Sequence, residues 1–591
     1  MTKKIKNTCY ILLALCVLAS WGYVCYLVRD TVLACHDSVM EYINARVNGW
    51  TNGYAYGMEY SLARGKVGFI FPAVIMFRFM VNGSGNYVAI WLLQYIPVFA
   101  NVALLGAFFH KKINKVAGLF FPLFFFSFLQ LDIWHCLITC YPLDFMYGLF
   151  LMISGLWFYS DYLENRGKRR NAVRLFISGV CFYESMQVYE AFIVASLGYA
   201  VIALYFTVKN KKGIKGFAEA LVTHFLIAVA YVGILSYLRT HPVVDTAVPS
   251  IDPHIDIKRV AKTCYEFSTG MFPLKDKRIV PSVKDFFLAP VMTKKKMWVF
   301  ALAGGFGTLL SAVLSIGEFK DLGKDERKAV CIRLSAVTVI GCLIAVTYPL
   351  PHSLVPSYQG WVIDGGAGGY LPTTISYFGW STAIVSVILI ASCLLSSVKK
   401  IYIPTAAALA IFVAAGAFIT ANINNVFRDI ESFAGGYMSV KYRTLYDIFR
   451  DEPVNELGTT YFYVPAYPGV HSNIETDESL VEFEAGDDVE LINSLEGNEM
   501  LLQDNDAVYV FYDADAHGAF IMRIDDYGKA PEEWTTSEVY FFSCEDSNYE
   551  ITLTDEDGEK SYVRIHTEGG QITPVETEDT ILVPAIDACY C

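Results

Sequence analysis

Runs of about 20 consecutive apolar residues recur along the first 422 positions, and nothing constrains this chain more. A helix rises 1.5 Å per residue, so such a run matches the roughly 30 Å hydrocarbon core of a bilayer. Windows of about 19 residues place spans near 9–28, 87–109, 116–133, 143–160, 173–187, 189–208, 218–238, 297–316, 329–349, 374–397 and 402–422. The third is bounded by Asp132, and the fifth is short and interrupted by Glu184. Composition agrees. The chain is 54% hydrophobic and 18% charged, whereas soluble domains carry about 25% charge. A soluble multidomain enzyme is excluded by the runs alone. The first run is longer than a signal-peptide core and lacks a clean small-x-small site after it, so it reads as a signal-anchor.

The loops set an orientation. Basic residues gather at Lys3, Lys4 and Lys6; at Lys111, Lys112 and Lys115; at Arg166, Lys168, Arg169 and Arg170; at Lys209, Lys211, Lys212 and Lys215; at Lys320, Lys324, Arg327 and Lys328; and at Lys399 and Lys400. These occupy every second loop. The positive-inside rule therefore predicts a cytoplasmic N-terminus and, after an eleventh span, an outer C-terminal region. That region is acidic: residues 423–591 hold 37 Asp and Glu against 8 Lys and Arg, a net of −29. The whole chain is −13, so the part before it is +16. Such a tail is unsuited to anionic lipid surfaces or nucleic acid.

Aromatic and β-branched runs at 507–512, 520–524, 539–542, 549–554 and 562–566 predict strands, with Asp555-Glu556-Asp557-Gly558 as a hairpin turn. The expected fold class is thus a polytopic α-helical membrane protein of about 11 helices carrying a mostly β extracytoplasmic domain, sandwich- or jelly-roll-like. The expected division is a membrane domain over 1–422 with a long first outer loop at 29–86, a helical neck at 423–450 and the acidic domain at 451–591. Of the cysteines, Cys9, Cys16, Cys25, Cys181, Cys331, Cys342 and Cys393 fall in or near spans as small hydrophobes. Cys544 can pair with Cys589 or Cys591 in the outer domain.

Chemistry must lie in the outer loops, since the cytoplasmic ones are short and merely basic. No P-loop or dinucleotide fingerprint is present, so no nucleotide cofactor is expected. No cysteine spacing suggests zinc, and metal dependence is left open. In the first outer loop His36 and Asp37 follow the first span, then Glu41, with Val39, Ile43, Val47 and Trp50 at helical spacing, as in an interfacial helix. A carboxylate where a span meets water can serve as general base toward a sugar hydroxyl. Arg64 and Lys66 can hold a lipid phosphate. The plainer account has Asp37 capping a helix and the basic pair snorkelling to head groups. Glu184, Gln187 and Glu190 cluster with Tyr183 and Tyr189 at the fifth hairpin, suited to sugar binding or to a solvated turn. Arg239 opens a basic outer loop. His352, Tyr358, Gln359, Trp361 and Asp364 precede the glycine-rich stretch 365–369, the composition of a sugar-binding lid or of a plain flexible loop. Asp504–Asp506 and Asp513–Asp515 offer calcium-type oxygens without EF-hand spacing, and surface turns explain them more simply.

The arrangement as a whole, with His36-Asp37-Ser38, Tyr56-Gly57, Ala63-Arg64-Gly65 and the stretch Phe182–Tyr189, resembles the GT-C superfamily of membrane glycosyltransferases. Within it, the chain is most similar to the bacterial O-antigen glucosyltransferase-like family. The resemblance covers roughly residues 1–240 and the topology. Where that family has an acidic pair, this chain has His36-Asp37. Its second acidic position corresponds to Asp132 or Asp144, of which Asp144, after Tyr141-Pro142-Leu143, fits better. The resemblance implies an inverting transfer of sugar from a polyprenyl-phosphate donor to an envelope glycan or lipid-linked acceptor, at a bacterial plasma membrane. It casts Asp37 as base, Asp144 as a positioning group, and Arg64, Lys66 and Arg239 as phosphate ligands. Two other readings stay open. A flippase for a lipid-linked glycan predicts internal repeats, and none is evident. A non-enzymatic assembly protein would work through the acidic domain.

Overall fold

The computed structural model describes residues 2–28, 41, 42, 44–47, 49, 58, 61, 62, 64–131, 138, 142–165, 171–241, 256–272, 295–320, 322–364 and 371–433. In the C-terminal part it describes 461–463, 490–492, 507–513, 518–525, 529, 530, 533–543, 546–569, 571–577 and 580–583. His36, Asp37, Asp132, the glycine stretch 365–369, most of the expected neck, both acid triplets apart from the backbone of Asp513, and Cys544, Cys589 and Cys591 lie outside the described residues.

The chain is a mostly helical, multi-pass membrane protein with a C-terminal strand region. Its helices are α1 (Lys3–Leu27), α2 (Ile70–Gly83), α3 (Tyr87–Lys112), α4 (Lys115–Ser127), α5 (Pro142–Glu164), α6 (Asn171–Val188), α7 (Ala195–Lys209, entered by a 3-10 turn at Glu190–Val194), α8 (Ile214–Thr240), α9 (Ile257–Thr269), α10 (Lys295–Phe319), α11 (Lys324–Thr347), α12 (Leu350–Ser353), α13 (Pro356–Ile363), α14 (Pro372–Leu395) and α15 (Lys399–Phe433). Among the described residues nine helices are long and apolar enough to cross a membrane: α1, α3, α5, α7 with its 3-10 turn, α8, α10, α11, α14 and α15. The segments expected near 116–133 and 173–187 fold as α4 and α6. Thirteen residues make α4 only about 20 Å long. The 18-residue α6 carries Glu184 and is outside the nine. The apolar helix α2 arises inside what the sequence presents as an outer loop.

Two compact units emerge from the packing. One comprises residues 1–29, 52–78 and 87–428; the other comprises 30–51, 79–86 and 429–591. In the first, α11 lies against α14 with almost no side chain between them, for a Cβ on Gly341 would stand 2.6 Å from the Gly379 carbonyl oxygen. Small residues allow that approach where lipid offers no hydrophobic drive to bring helices together. Buried amides join other pairs. Asn101 of α3 donates to the carbonyls of Pro97 and of Met146 in α5 at 2.8 and 2.7 Å. Asn424 of α15 accepts from Leu131 N and donates to Leu129 O, both at 2.8 Å, fixing the chain that leaves α4. Phenylalanines of α4 fill the centre, Phe125 packing on Tyr377 and Phe378 of α14.

The second unit holds strands β1 (Tyr461–Tyr463), β2 (Glu490–Ile492), β3 (Ala507–Asp513), β4 (Gly518–Arg523), β5 (Thr535–Thr536), β6 (Glu538–Ser543), β7 (Ser547–Thr554), β8 (Lys560–Thr567), β9 (Ile572–Val575) and β10 (Ile581–Leu582). Six form one sheet in the order β2-β1-β3-β4-β6-β9, and the pairs β5–β10 and β7–β8 are separate ribbons. The β7–β8 turn is the expected one, Gly558 taking φ of +83°. The sheet differs from a jelly roll because β1 runs parallel to both β2 and β3. Tyr509, Phe520, Trp534, Phe541 and Ile551 build its core. Within the same unit Arg46 donates to the Gly83 carbonyl at 2.9 Å, and Glu41 is helical and buried.

Candidate functional site

Buried polar groups are costly unless paired, and the end of α6 concentrates them. Glu184 and Gln187 are both buried there. The chain at 66–70 passes beside them on its way into α2. Gln187 Oε1 accepts from Val67 N at 2.8 Å and Gly68 N at 3.2 Å. The Glu184 carboxylate accepts from Phe69 N at 3.2 Å and Ile70 N at 3.1 Å. These are backbone donors at the start of a helix, which have no intrahelical acceptor and favour negative charge. α6 therefore caps α2 from outside. Gly68 permits it: a Cβ there would lie 2.6 Å from Glu184 Oε2 and 2.7 Å from Gln187 Cγ.

Just before this clasp, Gly65 takes φ of +67° and turns the chain so that Lys66 enters the protein at 4% exposure. Its Nζ lies 2.6 Å from Glu190 Oε2, and Arg239 Nη2 reaches Glu190 Oε1 at 2.8 Å. One carboxylate thus bridges two cations from distant segments. Burial pushes the Lys66 pKa down, and Glu190 opposes that by favouring the ammonium. Next in sequence, Tyr189 donates to or accepts from His352 Nε2 at 2.8 Å and packs against Phe145 with centroids 4.9 Å apart. His352 is 2% exposed, and its Nδ1 meets no partner among the described residues. Tyr358 lies against His352 and Trp361 against Tyr358, at 5.6 and 5.3 Å. Gln359 donates to Ser353 O at 2.9 Å, holding α13 against α12. Arg259 and Asp364 pair at 2.7 Å near the surface. Asp144, in the first turn of α5, meets Arg78 of α2 at 2.6 Å.

The sequence-expected residues Lys66, Arg239, Glu184, Gln187, Tyr189 and Tyr358 therefore converge, joined by Glu190 and His352. Asp144 adjoins through Phe145. Arg64 is exposed in the turn before Lys66. His36, Asp37 and Asp132 lie outside the described residues, and Glu41 belongs to the other unit. Arg78 is not among the residues the sequence singles out; its one signal is a lone arginine in the apolar run Ile70–Val81. The sequence matches no known family model and no curated protein.

Those residues offer more cationic than anionic charge around Glu190, a half-exposed arginine and a half-buried tyrosine bonded to a buried histidine. A phosphate reaching Arg239 would compete with Glu190 for both cations. Aromatic faces of Tyr358 and Trp361 stand one step further out, suited to sugar rings. Among the described residues no cluster of three or more His, Cys, Asp or Glu is placed to hold a metal.

Proposed function

We propose that the protein is a membrane glycosyltransferase that moves a sugar from a polyprenyl-phosphate donor to an envelope glycan or lipid-linked acceptor. The observation that carries this reading is the Lys66–Glu190–Arg239 cluster beside Tyr189 and His352, charged groups gathered at the helix ends where a phosphate head group would sit. Intramembrane charge is expensive and marks substrate paths. The resemblance of residues 1–240 to the GT-C superfamily supports the same reading, with eleven spans, a cytoplasmic N-terminus and the acidic domain outside, at a bacterial plasma membrane.

On this reading Asp37 deprotonates the acceptor hydroxyl, which attacks the anomeric carbon as the bond to the lipid phosphate breaks. Arg239 and Arg64 receive the charge that develops on the departing phosphate, Lys66 acting through Glu190. Asp144, held by Arg78, positions the acceptor. The test is sugar transfer by purified protein in nanodiscs, supplied with a panel of polyprenyl-phosphate sugars and envelope acceptors. Wild type transfers sugar, and Asp37→Asn loses at least about 100-fold, the scale of a missing general base. A folded wild type that neither transfers nor hydrolyses any donor would sink the proposal.

A further inference from the structure

The opposite end of the helical unit holds a second, differently built feature. α3, α5, α7, α11 and α14 leave between them a narrow, partly open groove of about 110 Å³, lined by apolar side chains such as Leu105, Phe108, Met152, Leu156, Val337 and Ile340. Its charged residues sit at one end, where Lys112, Glu164 and Arg333 close it. There Lys112 Nζ meets Asp161 at 2.5 Å and Glu164 at 2.6 Å, and Lys111 meets Asp161 at 2.9 Å. Arg333 donates to the Lys112 carbonyl and stands 4.0 Å from Glu164, with 29% of its side chain exposed. Lys209 lies near enough to add its charge to the Glu164 environment. Four cations against two carboxylates leave this end of the groove positive.

An apolar channel between membrane-length helices, ending at a net positive rim, matches an amphiphile with one anionic head. We infer that this groove binds an anionic phospholipid, with an acyl chain along α5 and α11 and the head group at Arg333. A neutral lipid would fill the channel without answering the charge, and a second protein helix would leave the arginine opposite apolar surface. The site is distinct from the Glu190 cluster: Asp144 and Glu164 mark opposite ends of α5. It does not depend on the glycosyltransferase reading.

Trp157 lines the groove, 5.1 Å from Lys111 Nζ, and reports on it. The full-length protein is reconstituted in phosphatidylcholine vesicles containing either brominated phosphatidylglycerol or brominated phosphatidylcholine. Quenching of Trp157 is read as the difference between wild type and Trp157→Phe. The expected result is half-maximal quenching at a mole fraction about fivefold lower for the anionic lipid, the scale of one basic group at a membrane surface. Arg333→Gln brings the two lipids to parity, and Ala336→Phe, which narrows the groove, reduces quenching by both. Equal quenching by the two lipids in wild type overturns the inference, as does an anionic preference that survives Arg333→Gln. Absence of any Trp157 quenching overturns it too, since the groove would then be filled by protein. Should Ala336→Phe fail to fold, the Arg333 variant still decides.

Discussion

The two ends of the helical unit both bury ion pairs, yet they are wired differently. At the end bearing Lys112, the bridges join the ends of α3 and α5, and the lysine's two carboxylate contacts leave it satisfied. At the end bearing Lys66, the partners come from a turn, a 3-10 segment and the last turn of α8. Around them Gln187 Nε2, Asp144 Oδ1 and His352 Nδ1 are buried with no partner among the described residues. A network that closes on itself stiffens a bundle. One that leaves buried polar atoms unanswered destabilises it unless something else binds there. At the Lys112 end both carboxylates are answered and what is left over is cationic charge at the rim; at the Lys66 end what is left over is buried.

The largest blow to that contrast is Glu190→Gln, which leaves Lys66 buried without its counter-ion. Thermal unfolding in detergent should show a loss of about 3 kcal/mol, the scale of an orphaned buried charge. The loss shrinks as pH rises. A buried, unpaired lysine has its folded-state pKa below the 10.5 of the unfolded chain, so the unfolded state holds more protons and alkali favours folding. A pH-independent loss would mean Lys66 is solvated, and the cluster is then no buried network. Lys112→Met at the other end should cost less, about 1–2 kcal/mol, because Lys111 still answers Asp161. Equal losses at both ends would erase the distinction drawn between them. His352→Phe is the finest probe. It keeps the stack on Tyr189 and removes the hydrogen bond, for about 1 kcal/mol of stability. If the site is catalytic, transfer falls by far more than stability does; parallel losses would place His352 among packing residues.

The sequence revealed the long helices because a 20-residue apolar run has one stable form in lipid. It was blind to α2, whose 14 residues fall short of a span and whose arginine resembles a loop residue until Asp144 is placed opposite it. Five strands were readable from local alternation, and β3, β4 and β6–β8 fall on them. The three-residue strands β1 and β2 were not, for a short parallel pair depends on partners distant in sequence. At the site, the residue types at 66, 184, 187, 189 and 239 stood out as polarity in the wrong place. Their employment did not: Glu184 and Gln187, suited on paper to sugar hydroxyls, are committed to the backbone of 67–70.

The sequence separations within the Glu190 cluster also set a timetable for synthesis. Glu190 emerges 124 residues after Lys66, so a partner is waiting when it is made. Arg239 arrives 49 residues later. Tyr189 must wait 163 residues for His352, until α12 has followed α11 out of the ribosome. A chain stopped before residue 352 therefore holds all three charged members of the clasp but lacks the histidine that bonds the Tyr189 hydroxyl.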